Sequence, residues 1–295
     1  MEFIKTKTIL SKVKYGNSWY GIDYNMNLYR GCSHGCIYCD SRSNCYHIDN
    51  FDMVSGKENA LQILEHELSK KREKGIVGIG AMSDTYNPLE KEYEITRGAL
   101  KLISKYGFGV SIDTKSNLIL RDLDLLKEIN SKNDIIIKFT ITTTRDELAK
   151  IIEPRVCVPS RRLQAIKILS DNGIFTGVML NPILPFITDK EEDIKELVRL
   201  AAENGAKFIH TYMGMTLREN QRDYYFKKLD EHFVGLKQKY LKCYGARYNC
   251  KAINYKKLYK VFMEECKKYG LLYKMSDIIK AYKKNASIHE QLTLF

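Results

Sequence analysis

Three cysteines, Cys32, Cys36 and Cys39, stand in a C-x3-C-x2-C spacing within Tyr29-Arg-Gly-Cys-Ser-His-Gly-Cys-Ile-Tyr-Cys-Asp40, directly after a strand-like run. This spacing commits the chain to a loop folded around a metal centre. Iron–sulfur clusters are held by cysteine thiolates, and a cubane [4Fe–4S] cluster normally takes four of them. A stretch that supplies three leaves one iron open to a small molecule, like the open position on a catalytic metal. Gly31 and Gly35 suit such a loop, because glycine adopts backbone angles closed to other residues. The competing reading of the same spacing is a structural zinc site completed by His34 or Cys45.

The 295 residues are enough for one large domain with an appendage, and for a sizeable core without disulfides. Of the eight cysteines, the five outside the motif show no even framework, as expected in a reducing compartment. The net charge of +12 suits a polyanionic partner, nucleic acid first, although a lysine-rich composition alone gives the same balance. No window approaches the roughly 18 apolar residues that span a bilayer. The start, Met-Glu-Phe-Ile-Lys-Thr-Lys, lacks the apolar core of a secretory signal. A cytoplasmic protein without membrane association is the expectation.

Between residues 21 and 233, apolar β-branched runs alternate with amphipathic stretches of helical period. Strands are predicted over 21–29, 76–82, 109–114, 135–142, 175–180 and 207–213. Helices are predicted over 57–73, 93–106, 121–130, 161–172, 190–204 and 218–233. Six strand–helix units with short connections predict a parallel sheet covered by helices, in α/β class: a partial (β/α)6 TIM-like barrel, short of the eight units of a closed one. Its active site would lie at the C-terminal ends of the strands. The expected organisation is a lead-in (1–20), the barrel (21–235), a helical Lys/Tyr-rich extension (236–285) and a tail (286–295). In the extension, Tyr240, Tyr244, Tyr248, Tyr255 and Tyr259 fall in near-helical steps beside lysines. Such a stripe either stacks bases or packs an appended helix.

The strand ends carry polar groups. Ser83 and Asp84 follow the second strand, Lys115 the third, and Thr140 and Thr142 share one face of the fourth by period-two alternation. A lysine on an apolar strand end calls for an anion. Taken with the cysteine stretch and the aromatic Tyr38 before its last cysteine, the chain resembles the radical S-adenosylmethionine (SAM) superfamily. Asp113-Thr-Lys-Ser116, Arg121-Asp-Leu-Asp-Leu-Leu126 and Ile151-Ile-Glu-Pro-Arg-Val-Cys-Val-Pro-Ser-Arg-Arg162 resemble its spore photoproduct lyase-related branch. The resemblance runs from about Tyr29 to about Phe233. It implies the same partial barrel, with a [4Fe–4S] cluster on Cys32, Cys36 and Cys39. It also implies SAM chelated to the open iron, with Tyr38, Ser83, Lys115 and Thr140 near it. The Asn181-Pro-Ile-Leu-Pro-Phe186 loop would face the substrate, and an electron donor such as flavodoxin or ferredoxin is required.

One departure bears on the substrate. The repair enzyme of that branch has a hydrogen-donating cysteine directly ahead of its Ser-Asp pair; here Ala81 and Met82 precede Ser83. Methionine has no S–H to give, which points to a relative acting on another substrate. Cys157, after the fourth strand, is the alternative donor in this chain. His210, at the end of the sixth, reads as a hydrogen-bonded structural histidine. The chain ends Gln291-Leu-Thr-Leu-Phe295, which resembles the pentapeptide by which bacterial replication and repair proteins bind the sliding clamp. Gln291 would make the polar anchor, and Leu292, Leu294 and Phe295 would fill apolar pockets; otherwise the tail packs on its own barrel. The leading expectation is a radical SAM enzyme acting on nucleic acid, with DNA repair one form of it. The alternatives are a peptide or small-metabolite substrate, and a non-catalytic zinc-stabilised protein that binds a clamp or nucleic acid.

Overall fold

A computed structural model describes residues 1–14 and 19–283 of the chain. Six parallel strands lie side by side in sequence order: β1 (Tyr24–Met26), β2 (Ile76–Ile79), β3 (Gly109–Thr114), β4 (Ile135–Thr140), β5 (Thr176–Leu180) and β6 (Phe208–Thr211). The crossovers are α1 (Ala60–Lys70), α2 (Ile95–Lys105), α3 (Leu123–Lys132), α4 (Asp146–Ile152) with α5 (Pro159–Asp171), and α6 (Glu191–Glu203). This is the partial (β/α)6 barrel. Leu10–Lys12 pairs antiparallel with β1 and occupies that edge, so part of the predicted lead-in belongs to the sheet.

Period-two alternation divides the strand residues between two apolar regions. Val110, Ile112, Ile137, Phe139, Val178 and Ile209 face outward and pack with Leu64, Leu100, Leu126, Ile166 and Val198 of the helices. The opposite face lines the lumen, whose lower end is filled by Tyr20, Ile136, Phe208, Ile278 and Tyr282. Ile278 and Tyr282 belong to the final helix, which therefore plugs the barrel from below. Tyr282 donates its hydroxyl to the Tyr20 carbonyl at the same place.

Several elements depart from the sequence expectation. The predicted first strand over 21–29 breaks after Met26, and Tyr29–Arg30 leaves the barrel to pair with Ser55–Lys57 in a small side sheet. The chain has to leave the barrel there to carry the cysteines over the strand ends. Beyond β6, a hairpin of β7 (Gly214–Thr216) and β8 (Asn249–Lys251) brackets two helices, α7 (Gln221–His232) and α8 (Leu236–Tyr244). Two more follow, α9 (Tyr255–Lys268), which packs on α6, and α10 (Met275–Tyr282), the plug.

The tyrosine stripe is not one face. Tyr240 and Tyr244 are buried beside Phe186 and Tyr225, and Tyr240 donates to the Pro185 carbonyl at 3.0 Å. Packing therefore accounts for those two, while Tyr248 and Tyr259 remain exposed. The tail, with Gln291, Leu292, Leu294 and Phe295, lies outside the described residues.

Candidate active site

The cysteine loop crosses the C-terminal ends of the strands and is fixed by its backbone. Cys32 N–H donates to Phe51 O at 2.8 Å, Ile37 N–H to Ile152 O at 3.0 Å, and Cys39 N–H to Cys36 O at 3.3 Å. Gly31 has φ +77°, and a Cβ there would lie 2.3 Å from the Met53 carbonyl oxygen. Only glycine fits. The loop borders a cavity of about 70 Å³ lined by Cys32, Cys36 and Cys39, by Ser83 and Asp84 beyond β2, by Asp113 and Lys115 of the β3 end, and by Thr140 of β4.

The three thiols line one cavity, and a cubane takes each thiolate on a different iron, so the donor set fits a cluster. Burial pushes the Cys36 and Cys39 thiols up, so their thiolate charge calls for a metal to supply the opposite one.

Two tyrosines bracket the loop in the same way. Tyr29 donates its hydroxyl to Glu90, which is paired with Arg121 at 2.7 Å. Tyr38 donates to Glu153, which is paired with Arg162. Both carboxylates are fully buried. Arg162 also donates to the Thr140 carbonyl at 2.8 Å and the Cys157 carbonyl at 2.5 Å, and so ties the β4 end to the loop. Burial works to raise the Glu153 pKa, but Arg162, Lys115 and the Tyr38 hydroxyl outweigh it and hold the carboxyl below its ordinary value. Arg155, two residues on, donates to the Ser33 carbonyl.

Asp84 is a junction between the second and third strand ends. Its oxygens accept from Tyr86 N–H at 2.9 Å, Thr114 Oγ1 at 2.8 Å and Lys115 N–H at 2.7 Å, and lie 3.6 Å from His34 Nδ1. Burial pushes the Cys32 thiol up, yet the His34 contact outweighs it and brings it below the usual thiol value. Lys115 points over the Tyr38 ring at 6.0 Å. Burial opposes its charge, but Cys36, Glu153, Asp84 and Cys39 hold its pKa above the ordinary lysine value.

The structure thus gathers Cys32, Cys36, Cys39, Ser83, Lys115 and Thr140 around one cavity, with Ser83 Oγ donating to Gly31 O at 2.5 Å and Tyr38 just behind. Cys157 lies apart. It opens on a neighbouring cavity of about 440 Å³ that shares only His34 with the first. Cys45 is exposed, its sulfur 3.4 Å from Arg218 Nη1. His210 is partly buried against Trp19 and Tyr20, and its Nδ1 has no hydrogen-bond partner among the described residues. Sequence reasoning assigned no role to Glu90, Glu153, Arg162 or the Asp84–His34 contact. Glu153 and Arg162 stood in a quoted motif, but nothing in the sequence set either beside Tyr38.

Comparison with known proteins agrees with this geometry. Residues 26–201 match the family model described as the radical SAM superfamily. The chain belongs to that superfamily; it is a radical SAM enzyme, and its cofactors are a [4Fe–4S] cluster and SAM. An uncharacterized protein of Methanocaldococcus jannaschii is 37% identical over 60% of this chain and 66% of its own length. One from Mycobacterium tuberculosis is 31% identical over 75% of this chain and 67% of its own. The chain thus spans about two thirds of the curated relatives it matches. In fold it is similar to spore photoproduct lyase complexed with dinucleoside spore photoproduct: TM-score 0.66 at 15% identity, over 92% of this chain and 81% of that one. Among the described residues no helix is long and apolar enough to cross a membrane.

Proposed function

We propose that Cys32, Cys36 and Cys39 ligate the cluster, and that Lys115 meets the SAM carboxylate while Ser83, Thr140 and Tyr38 shape its pocket. The observation that carries this is the single cavity shared by the three thiols and a lysine held charged at its wall. When bound, the cluster supplies the electron that cleaves SAM to methionine and a 5′-deoxyadenosyl radical. The chain's own part is to hold the loop, present one cation to an anion, and bury the reacting region.

The substrate is a nucleic acid in this reading, with repair of a DNA lesion as its most specific form. The net charge of +12 supports it, as does the fold shared with an enzyme bound to a dinucleoside lesion. So does the clamp-like tail, Gln291-Leu-Thr-Leu-Phe295. Met82 stands where the repair enzyme has its donor cysteine, so the reaction is not identical to that enzyme's. Cys157 serves as donor only to a substrate that reaches past His34. A flavodoxin- or ferredoxin-like protein supplies the electron.

The test is anaerobic reconstitution with iron and sulfide, reduction with SAM present, and assay of 5′-deoxyadenosine, with Cys36→Ala as control. Cleavage that disappears in the control supports the ligand assignment; cleavage that survives refutes it. DNA binding is read separately, by its loss as salt rises. Affinity that is absent, or indifferent to salt, moves the substrate to the peptide or metabolite class.

A further inference from the structure

Below the cysteine loop the lumen holds an ion pair. Lys138, in the middle of β4, has only 1% of its side chain exposed; it donates to Ser111 Oγ, lies 3.5 Å from Asp113 Oδ2 and sits 4.5 Å over the Tyr20 ring. Asp113 stands opposite it in the sheet register and lines the same cavity as the cysteines. The two partners are unequally satisfied. Lys138 has a hydroxyl, a carboxylate and a ring face. Asp113 has one cation at ion-pair distance, and its Oδ1 is buried with no hydrogen-bond partner among the described residues.

A buried ion pair is commonly no more stable than apolar residues of the same volume, and an unmet carboxylate oxygen adds to its cost. Packing alone does not call for this pair. Asp113 nevertheless keeps 19% of its side chain exposed toward the cavity. Gly80, with φ +97°, lies against it; a Cβ there would fall 2.0 Å from the Asp113 carbonyl oxygen.

We propose that Asp113, anchored by Lys138, determines substrate specificity by accepting a hydrogen bond from an N–H group on the edge of a nucleobase held in the lumen. This rests on the nucleic-acid reading above. A site built around an acceptor rejects a ligand that lacks the donor, because the carboxylate is then desolvated without a partner.

The experiment uses reconstituted full-length protein with SAM and two probes, pentathymidylate and the same oligonucleotide methylated at every thymine N3. The wild-type protein is expected to favour the unmethylated probe about tenfold or more. Asp113→Ala should bring the ratio of affinities near one. Because that variant strands Lys138, Asp113→Ala/Lys138→Met provides a second version that buries no charge. Iron and sulfide content and SAM affinity report whether each variant is loaded. Equal wild-type affinity for the two probes overturns the proposal alone, as does undiminished preference in the double variant. A variant whose SAM affinity falls while its preference persists also overturns it, and assigns Asp113 to the cofactor. Failure of the wild type to bind either probe overturns the nucleic-acid reading and this proposal with it.

Discussion

Tyr38 donates its hydroxyl to Glu153 across 115 residues of chain, and through that contact the cysteine loop is held by an ion pair at the end of the fourth strand. Neither Glu153 nor Arg162 has any exposed side-chain surface.

Removing one partner of such a pair leaves an uncompensated buried charge. Glu153→Ala should therefore cost about 3–5 kcal/mol of stability. Chemical denaturation of the apoprotein measures it. A change under about 1 kcal/mol would mean that the loop does not depend on this anchor.

Lys115 offers a second test. If its ammonium meets the SAM carboxylate, Lys115→Ala removes a charge-assisted hydrogen bond of about 1.5–3 kcal/mol. SAM affinity should fall roughly ten- to a hundredfold. The loss should appear in a SAM titration while the iron content stays level. Unchanged affinity would move the carboxylate elsewhere.

His210 makes stability depend on pH. Burial lowers its pKa, so the folded protein keeps the imidazole neutral where the unfolded chain takes up a proton. Its contribution is fully present above the unfolded value of about 6.5 and is lost as pH falls through the folded one. Urea midpoints measured between pH 5 and 7.5 should drop toward acid more steeply in the wild type than in His210→Gln. Parallel curves would show that another group carries the dependence.

The tail can be tested without reference to the chemistry. Deletion of residues 291–295 should abolish retention of the protein on an immobilised bacterial sliding clamp. Equal retention with and without the segment would return it to packing on its own barrel.

Much of the barrel was legible because its signals are local. The runs Ile135-Ile-Ile and Gly109-Val-Ser-Ile carry their β character in adjacent residues, and the cysteine spacing is read within eight positions. Asp113 and Lys138 show the limit. Each reads as a charge on a strand, and only the sheet register makes them neighbours. The β7–β8 hairpin was missed for a related reason: three residues per strand leave no period to detect, and two helices separate the partners. Helix α4, seven residues long, is too short to show a helical period in the sequence. The break after Met26 was hidden because the chain stays extended while it changes sheets.

The anchors of the cysteine loop also bear on when a cluster can be installed. Glu153 holds Tyr38 from the middle of the chain, and Gln221 donates to the Tyr38 carbonyl from 183 residues downstream. Asp40 accepts from Thr216 and Arg218. While the chain is being made, its cysteines emerge long before these anchors exist. The final cradle exists only once Gln221 has been synthesised and has folded against the loop.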